Sequence, residues 1–180
     1  ISPFAIGLAR PGQNAWGDFE GLIDDVAIWD VALERVHVSA LLNGRSPSLF
    51  RKPVAPPIAY WAFDELAESG TVALDEQGHY DATVSGAVLT VGNQGRFGEA
   101  LFFDGDNDYV SPGVVVEMTQ PSAYSVSLWF QRTVNHQDAA HATNHGVNNV
   151  LISQASDSAN DDLEIGTESD RIELYLDTEE

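Results

Sequence analysis

Residues 19–30, FEGLIDDVAIWD, constrain the fold more than any other stretch of the chain. In an extended segment successive side chains point to opposite faces. Leu22, Asp24, Val26 and Ile28 then share one face, and Ile23, Asp25, Ala27 and Trp29 the other. Both faces are apolar apart from one aspartate each. A carboxylate facing a core must be hydrogen-bonded, paired or metal-bound, because desolvating it alone costs several kcal/mol. The strand therefore brings a question about Asp24 and Asp25 along with a place in a sheet.

The text that follows reads as a helix. Asp30 suits its N-cap, Glu34 falls in the first turn, and Asn43 and Gly44 supply the stop. Leu33, Val36, Ala40 and Leu41 form its apolar stripe. Residues 45–57, RSPSLFRKPVAPP, carry four prolines and read as a semi-extended linker. Beyond them almost everything is strand and turn. Residues 58–63, 82–91, 100–103, 109–111, 124–132, 149–154, 163–167 and 171–177 are short apolar runs set off by Gly, Asp and Asn. In 124–132, Val126, Leu128 and Phe130 share a face. Short strands at this spacing with one helix predict an all-β fold, an antiparallel sandwich or jelly roll.

Charge narrows the partners. The 180 residues hold 28 acidic and 8 basic side chains, a net charge of −20, and Lys52 is the single lysine. Most of the acid surplus falls after residue 56. Such a surface repels phosphate backbones and anionic membranes, which argues against nucleic-acid binding. It suits divalent cations and neutral partners. No cysteine is present, so no disulfide framework or thiolate chemistry is available. No apolar run approaches the ~18 residues of a membrane-spanning helix.

Several stretches resemble one family. IAYWAFDE at 58–65 resembles the YWxFDE text that opens the laminin-G-like jelly roll of the concanavalin A-like lectin/glucanase superfamily. ALDEQGHYDATVSGA at 73–87, RFGEALFFDGDNDYV at 96–110 and YSVSLWF at 124–130 resemble the strands that follow. The closing text of that family, GxIDDVxIW and a short helix, is matched by residues 19–44, which come first. The resemblance thus implies the C-terminal part of one module (1–44), a Pro-rich linker (45–57) and the N-terminal part of a second (58–180). The W-x-x-V and YxDG strands that normally stand between these halves are missing, so each module is incomplete. The expectation is an incomplete or circularly permuted-like jelly roll, its two parts packing as one sandwich.

Candidate sites follow from carboxylates and aromatics. Asp24 and Asp25, joined by Asp64 of the opening strand, make an oxygen-rich set suited to calcium, which takes six to eight hard oxygens. The family resemblance adds to this reading, because many such sandwiches carry structural calcium. The alternative is a backbone-capping aspartate beside a solvated one. Asp104 is a further candidate ligand within DGDND at 104–108. That stretch lacks the glycine and terminal glutamate of an EF-hand, with Tyr109 and Val115 in their places, and reads as a tight hairpin turn in which Gly105 takes positive φ. Glu168, Asp170 and Glu173 fit the E-x-D-x-x-E spacing of related glucanases, but Ser169 and Asp170 read as a turn that would fan the carboxylates apart. His136, Asp138, His141 and His145 sit in an Asn- and Gly-containing stretch that reads as a polar loop rather than a zinc site. Trp16, on a loop, is the candidate platform for stacking on a sugar, whereas Trp29, Trp61 and Trp129 read as core.

The functional expectation is a non-catalytic carbohydrate-binding or adhesion module of a large modular extracellular protein, braced by calcium. Its partners would be carbohydrate or a cell-surface protein, and neighbouring modules of the same polypeptide. The alternative is a structural, protein-contacting repeat without a glycan site; a glucanase-type hydrolase comes third.

Overall fold

The computed structural model describes residues 3–8, 18–50, 56–116, 123–133, 149–154, 163–168 and 171–176. Among the described residues, twelve strands form two antiparallel sheets. The first sheet runs β12(Arg171–Leu176), β11(Leu163–Glu168), β10(Val150–Gln154), β1(Ala5–Ile6), β8(Tyr109–Ser111), β5(Ala82–Ser85), β4(Val72–Ala73). The second is built around the long β2(Glu20–Trp29). One edge of β2 pairs along most of its length with β9(Ser125–Arg132). The other edge is shared by two strands: β7(Leu101–Asp104) pairs with residues 20–23, and β3(Ala59–Trp61) with residues 26–28. β6(Val88–Leu89) flanks β7. No helix among the described residues is long and apolar enough to cross a membrane.

Strands from both sides of residues 45–57 interleave in both sheets. β1 lies between β8 and β10, and β2 pairs with β3, β7 and β9. The core between the sheets mixes the two parts as well. Phe4 stacks on Trp61 with ring centroids 5.7 Å apart, and Phe19 meets Phe103 edge-on at 6.2 Å. These rings, with Ile6, Ile23, Ile28 and Leu101, are buried.

A register shift in the middle of β2 revises the facing pattern read from strict alternation. The pairing with β9 slips between Asp24 and Ala27, and Asp25 takes φ +54°. One extra residue on a bulged strand reverses the facing of everything after it. Ile23, Val26 and Ile28 therefore all enter the main core, while Ala27 and Trp29 pack on the outer side with Leu41, Phe50 and Tyr60.

Three other expectations change. The helix α1(Arg35–Leu42) starts from Glu34, not Asp30. The cause is a distant side chain: Ser125 Oγ accepts from Leu33 N at 2.9 Å and donates to Val31 O at 2.9 Å, holding residues 31–33 out of the helix. The Glu34 N–H then donates to His37 Nδ1 at 3.2 Å. Of the expected stripe Leu41 is buried, but Val36 is 63% exposed. The described start of the Pro-rich stretch is packed rather than linker-like. A 3-10 turn at Pro47–Leu49 delivers Phe50, 2% exposed, edge-on against Trp29 at 5.9 Å. Lastly, DGDND does not close a hairpin, because β7 and β8 belong to different sheets. Gly105 does take φ +83°, but the turn is a corner that carries the chain from one sheet to the other.

Candidate functional site

The bulge of β2 lies where its two same-edge neighbours part. β7 begins opposite Ile23 and β3 ends opposite Val26, so the chain diverges on either side of Asp24 and Asp25. One branch of this fork is the chain leaving β3, through Phe63 at φ +57°, to Asp64. The other is the stretch 95–100 entering β7. Asp24 and Asp25 lie at this fork, near enough to Asp64 for its charge to act on both.

Each carboxylate has a defined partner. Asp24 Oδ2 accepts from Arg96 N at 2.6 Å and Phe97 N at 3.2 Å. Asp64 Oδ1 accepts from Glu99 N at 3.0 Å, and a Cβ on Gly98, at φ +89°, would overlap that oxygen. Asp25 Oδ1 accepts from the Tyr60 hydroxyl at 2.5 Å. The other Asp24 oxygen, Oδ1, is buried without a partner among the described residues. Such an orphan acceptor forfeits its hydration without return, typically ~1–3 kcal/mol.

Burial and neighbouring carboxylates dominate the electrostatics, with no basic side chain among the causes of the shifts. Burial pushes the Asp24 carboxyl up from 3.8 to about 7, with the Asp25 and Asp64 charges adding to it against the two backbone N–H groups. Burial also carries Asp25 up to about 6, opposed by the Tyr60 hydroxyl and reinforced by Asp64 and Glu76. Glu76 is raised too, first by burial. The donors are hard carboxylate oxygens of the kind calcium or magnesium takes. The orphan Oδ1 fits that chemistry. As the side chains stand, no three acidic or histidine side chains among the described residues form a ready metal-holding group. Asp24 and Asp25 are fixed and buried, whereas Asp64 is exposed.

The remaining candidates fall elsewhere. Asp104 sits at the far end of β7, paired with Glu20, and its Oδ1 accepts from Asp106 N at 2.8 Å. Asp108 Oδ2 accepts from Asp104 N at 2.8 Å, so this acidic group ties the corner together. Trp16, Asp138, His136, His141 and His145 lie outside the described residues, as does Asp170. Glu168 and Glu173 stand on different strands of the β11–β12 pair, opposite Arg171 and Gly166, so their spacing does not align them on one strand.

Sequence reasoning missed three participants. Asp75, 5% exposed, is the organiser of the loop after β4: its two oxygens accept from Tyr60, Gln77, His79 and Tyr80 N–H groups at 2.8–3.0 Å. The D-x-x-G spacing was its signal. Tyr60 had none, because its role depends on which face of β3 meets Asp25. Trp129, expected in the core, is only half-buried. It pairs with Asp24 across β2–β9, meets Phe97 edge-on at 6.0 Å and lies under the Arg96 guanidinium at 5.0 Å.

Comparison with known protein families, with curated proteins and with solved structures finds no match to this chain.

Proposed function

We propose that the chain is a non-catalytic carbohydrate-binding or adhesion module of a large modular extracellular protein, laminin-G-like in kind and braced by calcium at the β2 fork. The observation that carries the reading is the placing of Asp24 and Asp25 at the bulge of β2, close enough to Asp64 for their charges to interact, with one buried carboxylate oxygen unpartnered among the described residues. Asp24, Asp25 and Asp64 would hold the ion, and Asp104 takes no part. A bound divalent cation supplies the counter-charge that this cluster lacks.

The same residues explain why the ion acts as a brace. The fork carboxylates hold both ends of the loop 95–99 through its backbone N–H groups. An ion that offsets the repulsion between them would keep these carboxylates ionised and in place to hold that loop against the sheet.

A thermal melt in millimolar calcium and in EDTA tests the brace. At a hundredfold excess over Kd, a ligand specific for the native state adds ~2.7 kcal/mol. For a chain of this length that corresponds to a rise of ~5–10 °C in Tm. An identical midpoint in EDTA rejects calcium at the fork. One feature favours the protein-contacting reading instead: an apolar cleft of about 490 Å³ between α1, β9 and the β10–β12 strands. Saturable binding to a glycan array decides between the two.

A further inference from the structure

On the outer face of the second sheet, next to the fork, lies a cleft of about 240 Å³ whose walls include Asp24, Gln94, Arg96, Trp129 and Gln131. We propose that this cleft is a subsite for one neutral, hydroxyl-rich sugar ring. The proposal rests on the carbohydrate-binding reading above and deepens it by naming the ligand class and the residues that recognise it.

Size comes first. Pockets for drug-sized ligands span ~300–1,000 Å³, so this one suits a single ring rather than an oligosaccharide. The chemistry of the wall comes next. A vicinal diol needs an acceptor and a donor side by side, since each hydroxyl does both. Asp24 lines the cleft, but its unpartnered Oδ1 is buried and is the oxygen assigned above to the ion, so the acceptor comes from Gln94. Arg96 offers the donors. Its guanidinium lies over Phe97 at 5.1 Å and Trp129 at 5.0 Å, with no carboxylate partner among the described residues. The Gln94 amide nitrogen donates to Val91 O at 2.8 Å, which leaves its carbonyl oxygen as that acceptor. Trp129 supplies the apolar surface against which the C–H face of a sugar packs.

Charge selects a neutral ring over an acidic one. Asp25 and Asp64 border the same fork and the chain carries −20, so a uronate or sulfated sugar meets repulsion that one arginine does not offset. Geometry ties the cleft to the fork. The loop that carries Arg96 is anchored at Asp24 and at Asp64 by the N–H bonds described above.

The test is titration of the whole chain with methyl glucoside, methyl galactoside, methyl mannoside and, for comparison, glucuronate, followed by indole fluorescence and by chemical-shift changes. Saturable binding of at least one neutral glycoside is expected. Trp129→Ala and Arg96→Ala should each weaken it by roughly tenfold or more, while Trp129→Phe retains most of it. An unchanged Tm in each variant shows that folding is intact. Tighter binding of glucuronate, or no saturation by any neutral ring, overturns the proposal. If an array shows glycan binding that survives Trp129→Ala, the module binds sugar but not here. The calcium melt is independent of all these outcomes.

Discussion

Replacing Asp24 by asparagine should stabilise the metal-free protein, and only at high enough pH. The carboxyl titrates at about 7 in the folded chain against 3.8 ordinarily. Raising a pKa by one corresponds to ~1.4 kcal/mol, so a rise of about three amounts to ~4 kcal/mol. Water reaching the open side of the fork, where Asp64 is exposed, reduces this to ~2 kcal/mol. The sign follows from proton counting. Between pH ~4 and ~7 the unfolded chain has released the Asp24 proton while the folded chain keeps it, so stability falls as pH rises through that window and levels off above it. Asparagine does not titrate. Its carbonyl oxygen can still accept the Arg96 and Phe97 N–H bonds, and its amide nitrogen takes the place of the orphan Oδ1. In EDTA the variant should match the wild type near pH 4 and exceed it at pH 8 by ~2 kcal/mol, or ~4–8 °C in Tm for a chain of this size. Thermal melts by circular dichroism at pH 4, 6 and 8 read this directly. A variant less stable than wild type at pH 8, or one with the same offset at both ends, would refute the reasoning. In millimolar calcium the ordering should narrow or invert, since asparagine removes a charge the proposed ion needs.

Tyr60→Phe removes the donor to Asp25 Oδ1, so a loss of ~1–3 kcal/mol is expected in urea titrations. Because the hydroxyl favours the ionised carboxylate, and Asp25 titrates at about 6, the loss should be larger at pH 8 than at pH 5; equal losses contradict the assignment. Phe50→Ala should cost ~3–5 kcal/mol, the range for emptying a buried aromatic site. A change below ~1 kcal/mol would mean that residues 45–50 are a detachable linker after all.

What could be read from the sequence was whatever depended on local pattern. The bounds of β2, β10 and β11, and the core-facing side of Val126, Leu128 and Phe130, follow from alternation that the sheets preserve. That Asp24 and Asp25 would lie near Asp64 was expected from the resemblance, which sets opening and closing strands side by side, and β2 and β3 do pair. What was hidden depended on partners. IDDV alternates without any visible break, so the bulge exists only because β2 must pair with β9 on one edge while β7 and β3 part on the other. Asp30 and Glu34 are both fair caps, and Ser125, 92 residues from Leu33, decides between them. DGDND has the chemistry of a tight turn whichever sheet receives the next strand. Trp129 is apolar in a strand, yet it stands on a face that its neighbours only partly cover.

The fork concentrates unfavourable terms that a sandwich of this kind does not otherwise need. Asp25 and Phe63 both hold positive φ, and for a bulky residue such as phenylalanine that conformation is a genuine outlier. Non-glycine strain of this kind amounts to ~1–3 kcal/mol per residue. The raised Asp24 and Asp25 carboxyls add several kcal/mol more once the pH exceeds both. Against a total stability of ~5–15 kcal/mol these are large terms at a single locus. Neither can be relieved alone. Removing the extra residue at Asp25 would return Val26 and Ile28 to the outer face and empty the core, and straightening Phe63 would pull Asp64 from the Glu99 N–H. The bulge, the strained turn and the acid cluster thus stand or fall together. A counter-ion is the one addition that offsets the charge while leaving the register untouched, so the fork is where a bound cation would act most strongly on the fold.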